Sequence, residues 1–246
     1  MGNSYFRFKK FNVEQENVSM RVNTDGVLLG AWCSVPFSGN AKVLDIGSGT
    51  GVIALMLAQR LADAQAVDCS VEAVEIDGPS SVQCLKNFTS SPWRKTMKVY
   101  NADFQSFAME QLQKYNLVVS NPPYFNNSLK NPSEVKKTAR HTDSLSYDDL
   151  ADGASKLLVA DGILSVILPW EESSVFASVA EEKGFCIKRK CNVFSKRGEE
   201  FPKRVLMEFS LKKNAEILSE DLCIMEHSLE FTPEYRNLTK DFYLKF

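Results

Sequence analysis

Val43-Leu44-Asp45-Ile46-Gly47-Ser48-Gly49-Thr50-Gly51 is an apolar run that stops at three closely spaced glycines. Lys42 to Ile46 reads as a buried strand. From Gly51 to Ala62 the residues Ile53, Leu55, Met56, Leu57 and Leu61 follow helical spacing. Strand, glycine turn and helix is the geometry that holds a nucleotide-like ligand at the carboxyl edge of a sheet. Glycines let the backbone approach the ligand and adopt positive φ. A dinucleotide fingerprint would place its third glycine one residue later, where Val52 stands. Asp45 precedes the turn, and a carboxylate there repels a pyrophosphate but suits an ammonium group. That favours S-adenosylmethionine, which carries an amine and a cationic sulfur. Asp45, Gly47, Gly49 and Gly51 are then its expected cradle. An ordinary tight turn between strand and helix is the competing reading.

Further along, Val71-Glu72-Ala73-Val74-Glu75-Ile76-Asp77 reads as a second strand ending in carboxylates. Glu75 lies roughly twenty residues beyond the turn, where such folds place an acid on ribose hydroxyls. Ile76 beside it joins the expected cofactor set. Asp77 reads as a helix cap for a segment with Val82, Leu85 and Phe88 as its apolar stripe. A third strand, Met97 to Asn101, leads to Asp103 and Phe104. Asp103 is expected to accept from an adenine amine, and Phe104 to pack on the ring or in the core. A fourth strand, Tyr115 to Ser120, runs into Asn121-Pro122-Pro123-Tyr124. Two prolines fix two backbone dihedrals and remove two donors. The Pro122 carbonyl and the Asn121 side chain are left as rigid acceptors, with Tyr124 as a stacking face. That set suits a planar group bearing an amine.

Taken together, Asp45 to Gly51, Val74 to Asp77, Ala102-Asp103-Phe104 and Asn121 to Tyr124 resemble the S-adenosylmethionine-dependent amino-methyltransferases. Phe6-Arg7-Phe8-Lys9-Lys10-Phe11, Met20 to Trp32 and Phe231 to Tyr243 are similar to the bacterial tRNA1(Val) adenine-N6 methyltransferases. The resemblance implies an α/β fold of the Rossmann-like class I methyltransferase type: a mostly parallel twisted sheet, an antiparallel terminal hairpin and helices on both faces. It implies a cytoplasmic enzyme that methylates N6 of an anticodon-loop adenine in tRNA, with Asn121, Pro122 and Tyr124 as catalytic residues. Asn121 also belongs to the expected cofactor contacts. A glutamine N5-methyltransferase of release factors, a ribosomal RNA guanine-N2 methyltransferase and a non-catalytic S-adenosylmethionine-binding module are the alternatives. The first has a helical N-terminal domain, for which too little chain precedes Gly47. The second usually has Phe where Tyr124 stands.

The 246 residues allow one large domain, and an apolar content of 44% can fill its core. That domain reads as an N-terminal ribbon and helix (1–35) over the cofactor, then a catalytic core (36–246). Basic residues (29) nearly balance acidic ones (31), so net charge does not advertise nucleic acid. Between Lys188 and Lys213, however, nine basic residues face three acidic ones. A local basic face suffices for a phosphate backbone. Six cysteines without a C-x-x-C pair, and two histidines, argue against a metal site and for reduced thiols. No apolar run approaches a membrane span. The expected partner is tRNA, with no membrane and no metal, and the chain is expected to be a monomer with Phe6, Phe8 and Phe11 packed internally.

Residues 5 to 22 are expected to form the ribbon. Asp25 to Cys33 is expected to be a helix capped by Thr24, with Thr24 and Asp25 near the methionine end of the cofactor. Later strands are expected at 162–168, 186–194 and 205–211, with helices at 146–159 and 173–183. The polar segment 125–143 reads as a loop beside the site.

Overall fold

The computed structural model of the chain describes residues 3–16, 18–36, 39–123, 145–213 and 216–246. Short strands β1 (Tyr5–Arg7) and β2 (Asn12–Glu14) pair antiparallel, and helix α1 (Thr24–Trp32) follows. The chain then alternates: β3 (Lys42–Ile46), α2 (Val52–Asp63), β4 (Ser70–Glu75), α3 (Gly78–Ser90), β5 (Met97–Asn101), α4 (Phe104–Glu110) and β6 (Tyr115–Ser120). Beyond residue 145 come α5 (Tyr147–Leu157), β7 (Leu158–Pro169), α6 (Trp170–Glu182), β8 (Cys186–Lys196), β9 (Arg204–Ser210), β10 (Leu218–Met225) and α7 (Pro233–Thr239).

Strands β3 to β10 form one eight-stranded sheet in the order β10-β8-β9-β7-β6-β3-β4-β5. Neighbours are parallel except β9, which runs antiparallel to β7 and β8. The central strands are buried on both faces, which explains apolar runs without alternation. Val43, Leu117 and Val119 join a core with α1, α2 and α3 on one face. Leu44 and Val118 join a second core with α4, α5 and α6 on the other. The chain lays β3, β4 and β5 outward and then returns to place β6 on the opposite side of β3. Such a reversal opens a crevice at the carboxyl ends of the two strands, and ligands bind there.

Several elements depart from expectation. Asn23, not Thr24, caps α1: its side chain accepts from the Gly26 N–H at 2.9 Å. The expected stripe of α3 is rotated, for Val82 and Leu85 are exposed and only Phe88 is buried. The face actually buried is Ser80, Ser81, Gln83, Cys84, Asn87 and Phe88. Hydrogen bonding selects it. Asn87 Nδ2 donates to the carbonyls of Thr50 and Glu14, each at 2.9 Å, tying α3 to the glycine turn and to the ribbon. Strand β10 was not expected. It extends the antiparallel β8–β9 hairpin by a parallel edge strand whose first four residues are exposed. A polar edge strand carries no apolar period for sequence reasoning to detect.

The β1–β2 ribbon packs on the C-terminal segment and, through Asn87, on α3. Phe8 and Phe11 are buried, with ring centroids 4.6 Å apart, and Phe8 lies 6.1 Å from Tyr243 of the C-terminal segment. Lys9 Nζ donates to the Lys240 carbonyl at 2.5 Å, fastening the two ends of the chain together. Among the described residues no helix is long and apolar enough to cross a membrane.

Candidate active site at the switch point

The turn after β3 bends through three left-handed glycines, with φ of 68° at Gly47, 53° at Gly49 and 78° at Gly51. Backbone bonds set its path: Gly47 N–H to the Val74 carbonyl at 2.9 Å and Gly51 N–H to the Ser48 carbonyl at 2.8 Å. Gly51 has a second constraint. A Cβ there would lie 2.6 Å from the Phe88 ring and 2.7 Å from Cys84 Sγ. Gly51 is thus a packing position under the turn, whereas a Cβ on Gly47 would meet nothing within 4 Å.

Glu75, at the end of β4, braces this turn. Its Oε2 accepts from the Gly49 N–H at 2.7 Å, and its Oε1 from the Asp77 N–H at 2.8 Å. Each carboxylate oxygen can accept about two hydrogen bonds. Glu75 therefore orders the turn and keeps acceptor capacity for hydroxyls in the groove that it lines. Asp77 caps α3 as expected, accepting from the Ser80 N–H at 2.9 Å.

Asp45 sits beneath the turn rather than on the groove wall. Its neighbours across the sheet are Ala73 and Val119, and it is wholly buried. Oδ2 accepts from the Ala54 N–H at 3.1 Å, so a strand side chain caps α2, whose own N-cap, Gly51, has none to offer. Oδ1 has no hydrogen-bond partner among the described residues. Burial pushes the carboxyl up to about 7 and the nearby Glu75 charge adds to it, against the Ala54 hydrogen bond, which lowers it.

Across the crevice, β6 delivers Asn121 and Pro122. Ser120 Oγ donates to the Ile46 carbonyl at 2.9 Å in a fully buried bond. One hydrogen bond thereby joins the last residue of β6 to the last residue of β3, fixing the Asn121 backbone relative to the glycine turn. The groove between them has a volume of about 210 Å³. Gly47, Gly49, Glu75, Ile76, Asn121, Pro122 and Pro123 line it. Ile76 is 52% exposed, an apolar side chain held against the groove with little cover. Tyr124 and the loop 125–143 lie outside the described residues.

A further wall is formed by Ser19, Met20 and Arg21, from the stretch expected as a ribbon over the cofactor, and by Asn23, which sequence reasoning missed. Beyond β2 they show no periodicity, so the sequence assigns them no individual roles. Leu145 is a further missed residue, and it borders both the groove and a cavity of about 50 Å³ beyond Ile76. Phe104 lines that smaller cavity with Ala102 and Val74 while packing into the core below. Asp103 caps α4, accepting from the Ser106 N–H at 2.8 Å, and that bond holds its carboxyl below the usual carboxylate range.

Two expected groove residues are placed elsewhere. Thr24 and Asp25 turn to the other side of the first turn of α1 and line a different cavity. There Asp25 Oδ2 accepts from Arg204 Nε at 2.8 Å. Asn23 and Gly26, their neighbours, face the groove instead. Among the described residues no group of three or more His, Cys, Asp or Glu is arranged to hold a metal ion.

Chemically, the groove brings one face of acceptors on β6 against a glycine cradle with a carboxylate at its far end. The N-terminus of the twelve-residue helix α2 opens beside it, adding a positive dipole end. Residues 33–168, which contain the turn, Glu75 and Asn121, match the family model described as methyltransferase small domain. A relative from Bacteroides fragilis, tRNA1(Val) (adenine(37)-N6)-methyltransferase, is 42% identical over 246 residues and spans 100% of both chains. A relative of the same name from Trichodesmium erythraeum is 44% identical over 247 residues, again spanning 100% of both. Among solved structures, a predicted O-methyltransferase from Agrobacterium tumefaciens has a TM-score of 0.67 at 18% identity, covering 89% of this chain and 96% of its own. The structure of a putative class I S-adenosylmethionine-dependent methyltransferase from Listeria monocytogenes has a TM-score of 0.56 at 18% identity, covering 80% of this chain and 62% of its own.

Proposed function

The chain belongs to the methyltransferase small domain family and, over its full length, to the tRNA1(Val) (adenine(37)-N6)-methyltransferases, and from that premise we propose that it transfers a methyl group from S-adenosylmethionine to N6 of that adenine in tRNA. The observation that carries the proposal is the position of Asn121 and Pro122. They follow β6 directly across the crevice from the glycine turn, tied to it through Ser120 and Ile46.

The groove residues fit S-adenosylmethionine. Glu75 offers acceptors to ribose hydroxyls, and Ile76 with Phe104 offers apolar surface to an adenine ring. Asp45, buried beneath the turn, adds acidic character behind the groove rather than a direct contact, and the α2 N-terminus favours a carboxylate. Bound there, S-adenosylmethionine supplies an electrophilic methyl carbon on a cationic sulfur.

The amine of adenine is a weak nucleophile because its lone pair is delocalised into the ring. Asn121 Oδ1 and the Pro122 carbonyl accept its two N–H bonds and draw the nitrogen toward tetrahedral geometry. The lone pair is then aimed across the groove. Pro122 and Pro123 hold these acceptors in place before the base arrives, so alignment costs little at the moment of reaction. Tyr124, next in sequence, is assigned from sequence to stacking on the base. An unpaired loop adenine enters such a pocket at small cost, having few stacking partners to lose.

The test is methyl transfer from labelled S-adenosylmethionine to total tRNA and, separately, to total protein. Label in tRNA supports the proposal. Label in protein alone would favour a glutamine acceptor, and no label in either would remove the activity.

A further inference from the structure

A second cavity among the described residues is larger than the groove. It has a volume of about 820 Å³ and lies on the opposite side of the first turn of α1. Asn23 and Gly26 face the groove, whereas Thr24, Asp25 and Leu28 face this cavity. The two spaces are therefore separated by one helix, about 10 Å across. They also open at the same edge of the sheet. Arg204 begins β9 opposite Pro169 at the carboxyl end of β7, and Val193 of β8 pairs with Arg204.

The lining has two kinds of surface. Phe6, Phe231, Tyr235, Tyr243 and Phe246 supply aromatic rings packed on one another, with centroid separations of 5.2 Å for Phe231–Tyr235 and 5.5 Å for Tyr243–Phe246. Arg7, Lys203, Arg204 and Lys245 contribute four cations against one lining acid, Asp25, which pairs with Arg204. An aromatic hollow with a cationic rim is the chemistry that receives a nucleobase and its phosphates. All of these lining residues lie outside 33–168, the part of the chain that matches the methyltransferase module. The elements added to the module thus build the cavity and set it beside the reacting groove.

Resting on the proposed RNA substrate, we propose that this cavity is a second nucleobase subsite. It takes an unmodified nucleotide of the same single-stranded loop while the target adenine lies in the groove. The aromatic rings stack on that base, and Arg7, Lys203 and Lys245 hold the adjoining phosphates. Its role is to fix which loop adenine reaches Asn121.

The experiment uses the full chain and an anticodon stem-loop RNA carrying 2-aminopurine at one loop position at a time. Quenching is expected at the target and at one further position. Ser195→Trp fills the cavity from its wall, and the Arg7→Ala/Lys245→Ala pair strips exposed cations from its rim. Both are expected to raise KM for the RNA about tenfold, with kcat and S-adenosylmethionine affinity within about twofold, as loss of one stacked base or its phosphates would do. Ser195→Trp is also expected to abolish the second quenching signal and leave the first. Should Ser195→Trp fail to fold, as read by its melting curve, the rim pair decides on KM alone. Unchanged KM and both signals retained in folded variants would overturn the subsite. So would binding of anilinonaphthalene sulfonate in the cavity that the RNA fails to displace. If the wild-type enzyme transfers no methyl to RNA yet quenches at two positions, the activity falls and the subsite stands.

Discussion

At Asn121 the chemistry depends on one side-chain acceptor. Asn121→Ala is expected to lower kcat about a hundredfold or more, the scale seen when one preorganised polar group is removed from a reacting centre, and to leave S-adenosylmethionine affinity nearly unchanged. Steady-state kinetics with tRNA, beside calorimetric titration of S-adenosylmethionine, checks both halves. Asp45 poses a different question, one of pH. Its carboxyl protonates near 7 in the folded chain and near 3.8 when unfolded. Between those values the folded state binds the extra proton, so this group lowers stability as pH rises through the window, and its full penalty is present above 7. Asp45→Asn keeps an acceptor for the Ala54 N–H and removes the titration. Melting curves should therefore show the variant gaining on wild type as pH rises from about 4 to 7. Parallel pH profiles would show that burial does not raise the Asp45 carboxyl. Gly51 carries both positive φ and a packing limit, so Gly51→Ala should cost about 2 kcal/mol or more in denaturant melts.

The Ser120–Ile46 hydrogen bond links two elements, and its removal tests whether β6 places the acceptors. Ser120→Ala should cost about 1 kcal/mol of stability and lower kcat more than it raises the KM for S-adenosylmethionine. Unchanged kcat would mean that β6 needs no such tie. At this scale most of the fold was legible in the sequence. β3, β5 and β6 match their expected limits; β3 and β6 are nearly continuous apolar runs because they are buried on both faces, whereas β5 is a half-exposed edge strand. The glycine turn was legible for a related reason, since backbone of positive φ accepts few residues other than glycine. Where side chains choose polar partners, the pattern misled. Phe88 was placed correctly, but Val82 and Leu85 were not, since Asn87 and Cys84 bind the turn. Thr24 and Asp25, expected near the methionine end of the cofactor at the start of α1, line the other cavity. Helical geometry sends them the other way, as residues one or two positions apart on a helix do not share a face. Glu75, Ile76, Asn121 and Pro122 line one groove because strand ends sit at predictable places around a switch point. Ser19 to Asn23 had no comparable signal.

On the scale of the whole molecule, a formal net charge of −2 conceals an uneven distribution. Basic side chains gather around β8, β9 and the larger cavity, so binding of RNA should rest on phosphate contacts. The dissociation constant for tRNA should accordingly rise at least about tenfold between 50 and 200 mM salt, whereas that for S-adenosylmethionine should change little. Filter binding across a salt series measures the slope, and a flat response would exclude a phosphate-contacting face. The central claim is that one groove presents a loop adenine amine to a methyl donor. Its most direct test is nucleoside mass spectrometry of two tRNA1(Val) transcripts after reaction with enzyme and S-adenosylmethionine, one native and one with the target adenine replaced by guanine. The account predicts N6-methyladenosine in the first and no methylated nucleoside in the second. Methylation of the second transcript, or of any other atom in the first, would contradict it.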